Sequence, residues 1–226
     1  MKRKLLLITV VLITLSILFF TGCSSNETDQ VDGEPSDDFV LQELPAPINL
    51  EGNYTTEDGD EVVCQDGDYS ATCSSINVNN LDQYLNRSDV VYIDLRDYDN
   101  YAQKHFKNFE VVPYFGFIFN EKAHTDETNI QLFGGSPQEP IAVYAESEAI
   151  LNSIFPKDKT IFVMCQSGAR VTWMMQILDA NGYDMSKIYN VGGLGQYTDA
   201  KYSAYITDTA EFKVEVNYSM DGATRN

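Results

Sequence analysis

The chain has 226 residues, 43% of them hydrophobic and 12% aromatic, with 15 Lys and Arg against 34 Asp and Glu for a formal net charge of -19. That length suits one domain of ordinary size with appendages, and that apolar share excludes a wholly disordered chain. So acidic a surface repels phosphate backbones, and basic residues cluster only within the first four positions, which excludes nucleic acid as a partner.

Lys2, Arg3 and Lys4 precede an uncharged run over residues 5–20 dominated by Leu, Ile, Val and Phe. This is the basic-then-apolar order of a secretory signal, somewhat short for a membrane-spanning helix. The run closes on Phe20-Thr21-Gly22-Cys23, which resembles the lipobox of bacterial lipoproteins. That resemblance implies a signal peptide over 1–22, a diacylglyceryl thioether and fatty acids such as palmitate on Cys23, and a protein lipid-anchored in the cell membrane and facing outside the cytoplasm. An uncleaved signal anchor is the alternative. From Cys23 to Asn86 there are fifteen acidic residues and no Lys or Arg. The stretch 23–48 is too charged and too poor in apolar groups to pack, and reads as an acidic flexible linker.

Residues 49–75 form a small acidic lobe. Cys64 and Cys73 lie nine apart, with the turn signal Asp66-Gly67 between two short strand-like runs. In an exported chain this pair is expected as a local disulfide closing a hairpin. No metal is expected, because the spacing lacks Cys-x-x-Cys pairs and no His is near. The repeated Asp-Gly-Asp at 58–60 and 66–68 does not fit the ligand order of a calcium loop.

From residue 76 the pattern alternates. Apolar residues at Val78, Leu81, Tyr84 and Leu85 predict a short helix over 76–86, and the run 90–95 predicts a buried parallel strand. A helix over 98–106 and a brief strand at 111–113, stopped by Pro113, come next. Residues 114–140 read as an irregular insertion. A helix over 146–155 leads to a second buried strand, 160–164, which runs into Cys165-Gln166-Ser167-Gly168-Ala169-Arg170. A helix over 171–181 stopped by Gly182 and a strand over 188–191 complete an α/β fold with a mostly parallel central sheet flanked by helices. In the extension 199–226, residues 211–218 alternate apolar and polar, as an edge strand that could pair with the acidic lobe.

A cysteine between a buried strand and a helix meets a cradle of backbone N-H groups and the positive end of a helix dipole, both of which favour thiolate. Gly168 permits the tight turn, and the Arg170 guanidinium can close over a bound anion. A free cysteine buried after a core strand is the inert alternative.

Cys165-Gln166-Ser167-Gly168-Ala169-Arg170 resembles the active-site loop of the rhodanese (thiosulfate sulfurtransferase) family. The segment from Val91 through Asp94, Arg96 and Tyr101 to His105-Phe106 is similar to that family's Asp-Val-Arg and Gly-His-Ile region, and Gly192-Gly193 with Tyr197 to its closing segment. The resemblance spans about 76–198. It implies a three-layer rhodanese-like domain and a membrane-anchored sulfurtransferase. Cys165 would be the nucleophile and persulfide carrier, Arg170 the anion clamp, and Gln166, Ser167, Gly168 and Ala169 the substrate cradle. Asp94, Arg96 and His105 would be structural support. It implies no cofactor; the partners are a small sulfur-containing anion and a thiol acceptor. Gln166 stands where thiosulfate enzymes often have Arg, and Lys104 where Gly is expected before His105, so the donor need not be thiosulfate. Four residues between Cys165 and Arg170 give a smaller cradle than the five of the related phosphatases. A surface module holding a protein partner through the acidic lobe or the tyrosine-rich insertion is the second reading, and a thiol redox protein using Cys64 and Cys73 the third.

Overall fold

In this computed structural model the described residues are 41–50, 53–55, 59 and 61–207. The expected signal, lipid site at Cys23, most of the acidic linker and the alternating stretch 211–218 lie outside them.

The lobe begins with an antiparallel pair, β1 (Asn53–Thr55) and β2 (Glu61–Val63). The hairpin therefore precedes Cys64 instead of enclosing Asp66-Gly67. That dipeptide still turns the chain, with Gly67 at φ +82° and Asp68 N-H donating to Gln65 O at 3.0 Å, and a single 3-10 turn over Ala71–Cys73 follows. The isolated bridge Ile48 to Ser74 ties the lobe together.

The expected helix over 76–86 reduces to turns and one 3-10 turn, Leu81–Gln83. Leu81, Tyr84 and Leu85 are buried and Val78 partly so, but Asn77 and Asn80 spend their side chains on nearby backbone: Asn80 Oδ1 accepts from Asn77 N-H at 2.9 Å, and Asn77 Nδ2 donates to Ser74 O at 3.1 Å. Such local bonds compete with the helical ladder.

Strand β3 (Val90–Asp94), helix α1 (Tyr98–Gln103), the short strands β4 (His105–Phe106) and β5 (Glu110–Val111), and one π-helical turn at Tyr114–Ile118 follow. The expected helix over 98–106 thus ends at Gln103, and His105–Phe106 pairs antiparallel with β10 (Ile206–Thr207) from the C-terminal extension. The insertion is irregular apart from that turn and a hairpin of β6 (Phe133–Gly135) and β7 (Pro140–Ala142). Helix α2 (Ser147–Ile154), strand β8 (Thr160–Cys165), helix α3 (Ala169–Ala180) and strand β9 (Ile188–Gly193) complete the domain. Gly182 at φ +72° closes α3, its N-H on Asp179 O at 2.9 Å.

The central sheet runs β5-β3-β8-β9, all parallel. Successive side chains of a strand face opposite layers, and β8 divides accordingly. Ile161, Val163 and Cys165 join Ile93, Tyr114, Leu151, Val171, Met174 and Leu178 on one face, whereas Phe162 and Met164 join Ile76, Leu81, Tyr92, Phe106, Tyr197 and Tyr202 on the other. Cys165 is therefore the last inward residue of the central strand, on the face that α3 covers.

Candidate active site

β8 delivers Cys165 to the C-terminal edge of the sheet, where the chain must reverse into α3. Gly168 makes that reversal at φ +99°, a left-handed conformation that side chains rarely adopt, and it caps the N-terminus of α3. From there its N-H donates to Cys165 Sγ at 3.1 Å. The sulfur thus sits at the head of a helix whose dipole and first amides favour negative charge. Cys165 is only 1% exposed, while Gln166 and Ser167 lie on the surface. The outer wall of the cradle is backbone: a Cβ on Gly193 would run into Gln166 C=O and Ser167 Cα, so the closing Gly192-Gly193 segment lets β9 press directly against the loop.

Arg170 contacts the turn after β3 and the insertion. Its Nη1 donates to Leu95 O at 3.3 Å and lies 3.7 Å from Asp97 Oδ2, and the guanidinium stands 5.6 Å over the Phe115 ring. Arg170 therefore ties the insertion and the turn after β3 to the first turn of α3. Phe115 and Trp173, 49% and 40% exposed, together with Tyr114, Phe119 and Pro137 line an adjoining cleft of about 520 Å³.

Asp94 and Arg96 are buried against each other beneath this edge, with Arg96 Nη2 2.6 Å from Asp94 Oδ2 and Nε 2.9 Å from the same oxygen. Arg96 also donates to Lys104 O at 2.7 Å. His105 Nδ1 faces Tyr101 O at 2.7 Å, and since a carbonyl only accepts, that nitrogen carries the proton. Its ring stacks on Tyr101 at 4.0 Å. These contacts engage His105 with α1.

Cys64 and Cys73 are joined, with Cα atoms 5.6 Å apart. Asp68 Oδ2 lies 3.1 Å from Cys73 Sγ; with both sulfurs bonded to each other, the cluster of Cys64, Asp68 and Cys73 offers no thiolate to a metal. Asn190 escaped the sequence reading. It is 3% exposed on β9 and its amide joins the lobe to the loop after β8, with Nδ2 2.8 Å from Tyr69 O and 3.4 Å from Gly168 O, while Oδ1 accepts from Gly192 N-H at 3.0 Å. The available signal was an amide side chain set inside the apolar strand Ile188-Tyr189-Asn190-Val191.

A parallel sheet with a cysteine at the strand-to-helix junction defines the class of protein. Residues 77–200, more than half of the chain, match the family described as Rhodanese-like domain, and the chain belongs to that family. The chain is also similar to solved structures. A rhodanese-like domain protein from Staphylococcus aureus shares 21% identity over 55% of this chain and 91% of its own, with a TM-score of 0.35. A rhodanese-like domain from Anabaena shares 12% over 63% and 85%, with a TM-score of 0.38. A rhodanese from E. coli determined with anions shares 20% over 48% and 92%, with a TM-score of 0.30. No curated protein matches the chain.

Proposed function

We propose that this protein is a sulfurtransferase that carries a sulfane sulfur as a persulfide on Cys165, and that it works outside the cytoplasm on a lipid anchor at Cys23. The family includes sulfurtransferases, and the observation that carries the reading is the Gly168 N-H on Cys165 Sγ at the head of α3. The Cys165 thiolate attacks the outer sulfur of a donor such as thiosulfate; the donor's S-S bond breaks and sulfite leaves with the electron pair. A thiolate acceptor then attacks the terminal sulfur of the Cys165 persulfide, takes it, and restores the Cys165 thiolate.

Arg170 can serve an arriving anion because its present partner holds it weakly. An Asp97 carboxylate 3.7 Å away and 46% exposed is a surface pair, of a kind contributing about 0–1 kcal/mol, which a dianion displaces. The aromatic cleft beside it supplies a wall for an acceptor with an apolar body, and the buried Tyr114 hydroxyl has no hydrogen-bond partner among the described residues. With Cys165 shut from solvent, the donor enters where the exposed Gln166 and Ser167 yield. The same cleft favours the second reading, a surface module that holds a protein partner without turnover.

After incubation with thiosulfate or an organic polysulfide, mass spectrometry should find one added sulfur atom on Cys165, removed again by cyanide. No gain from any sulfane donor overturns the enzymatic reading and leaves the module. The disulfide supports the compartment, since oxidising compartments preserve such bonds. A Cys23→Ala chain should leave the membrane fraction; unchanged membrane retention and processing would remove the lipid anchor.

A further inference from the structure

The lobe carrying the disulfide contacts the Cys165 loop and the start of α3 from the β9 side. Tyr69 C=O accepts from Thr172 Oγ1 at 3.1 Å and from Asn190 Nδ2 at 2.8 Å. The same Asn190 Nδ2 reaches Gly168 O at 3.4 Å, and Gly168 is the residue whose N-H holds Cys165 Sγ. Ala71 packs so closely on this point that a Cβ built on Gly168 would stand 2.8 Å from the Ala71 Cβ, and one on Gly192 would stand 3.9 Å from it. Burial, and then the bond that the Tyr69 hydroxyl donates to Asp179 at 3.0 Å, push the Tyr69 hydroxyl up to about 12, so this second tie to α3 keeps its proton at neutral pH.

Tyr69 and Ala71 lie within the covalent ring from Cys64 to Cys73, which restricts how far they can move. Between these cysteines the only regular structure is the 3-10 turn Ala71–Cys73, so the segment has no ladder of its own to fall back on. Cys73 is fully buried, and its C=O accepts from Asn49 N-H at 2.8 Å, which anchors one end of the ring; the other end, Cys64, is buried directly after β2.

We propose that the Cys64–Cys73 disulfide is a redox-sensitive clamp on the catalytic loop, acting through Tyr69, Ala71 and Asn190, and that its reduction slows persulfide formation at Cys165. The rate effect rests on the sulfurtransferase reading; the clamp itself does not. The reductant is an external dithiol. One of its thiolates attacks a sulfur of the bond, and the second resolves the mixed disulfide. Two electrons and two protons pass to Cys64 and Cys73, and the dithiol leaves as its own disulfide. Freed of the ring, Tyr69 and Ala71 withdraw their contacts, Asn190 loses the acceptor that orients it, and Gly168 loses the neighbour that fixes its amide on the sulfur. Tyr69, Ala71 and Asn190 are positioning residues, since none touches the reacting atoms.

The test uses the full chain, oxidised or reduced with dithiothreitol that is then removed without air. Single-turnover persulfide formation from thiosulfate should fall between about 10- and 100-fold on reduction, the cost of a small misplacement at a reacting centre. Half-saturation by donor should stay the same, and reoxidation should restore the rate. A Cys64→Ser/Cys73→Ser chain should start at the reduced rate and ignore the dithiol, and oxidised Asn190→Ala should reproduce the loss with the disulfide intact. Amide hydrogen exchange over 166–172 should quicken on reduction while β3 and β8 stay protected. Equal rates in both redox states of an active protein overturn the clamp, and so does loop exchange that reduction leaves unchanged. If no state accepts sulfur, the enzymatic reading fails and the exchange measurement alone decides the clamp.

Discussion

Cys165→Ser should bring sulfur transfer to the uncatalysed level while leaving the fold in place. Serine fits the site, because its Oγ can accept the Gly168 N-H that Sγ accepts at 3.1 Å. Chemically it cannot substitute. An alcohol holds its proton at neutral pH, and the partner at this position, the Gly168 N-H, is a donor that cannot take it. An ester-like sulfur-oxygen bond also gives the acceptor no persulfide to attack. Deleting a covalent nucleophile costs on the order of 10^6 in turnover, so the rate of thiocyanate formation from thiosulfate and cyanide should drop below detection, with circular dichroism unchanged. A Cys165→Ser protein that still transfers sulfur would place the chemistry at another residue.

Why the strands and loop around Cys165 were legible in the sequence while their surroundings were not has a physical answer. Strands β3 and β8 are buried on both faces, and such strands carry uninterrupted apolar runs that few other structures need; the runs at 90–95 and 160–164 matched them closely. The loop after β8 is equally local: a left-handed glycine, a helix start and a cysteine within four residues define one turn. Residues 76–86 failed because their apolar spacing reported burial alone. The same four side chains pack into the core from a chain of turns, and the asparagines that replace the helical ladder are visible only once their partners are known. In the lobe, Asp66-Gly67 did turn the chain, but β2 found its partner upstream, and pairing direction is a long-range choice that a turn signal does not make.

Arg170 illustrates a different limit. Its spacing from Cys165 places it on the first turn of α3, yet the direction of its guanidinium depends on Leu95, Asp97 and Phe115, which come from the turn after β3 and from the insertion. No local pattern announces that meeting. Asn190 is similar: its polarity within an apolar strand signals a buried hydrogen-bonding duty, but not that the duty joins the lobe to the catalytic loop.

The largest loss of stability should come from splitting Asp94 and Arg96. Both are almost fully buried, and together they make a self-contained unit. Asp94 takes Arg96 N-H at 3.0 Å and the guanidinium through both oxygens, while the remaining donors go to Lys104 O at 2.7 Å and Asn100 O at 3.3 Å. Asp94→Leu leaves a guanidinium stranded out of water, at a cost of about 3–5 kcal/mol. For a domain of this size that lowers the thermal midpoint by roughly 10 °C. Arg96→Leu should cost a similar amount, through the stranded carboxylate and the two orphaned carbonyls of α1's end. The paired change Asp94→Leu/Arg96→Leu should regain part of the loss, because two apolar groups need no counter-charge, although Lys104 O and Asn100 O remain without their donor. Denaturant unfolding of the three variants forms a double-mutant cycle, and the expected coupling is favourable and above about 1 kcal/mol. Coupling near zero would mean that each group is satisfied independently by water, and the pair would then have no part in fixing the turn against which Arg170 rests.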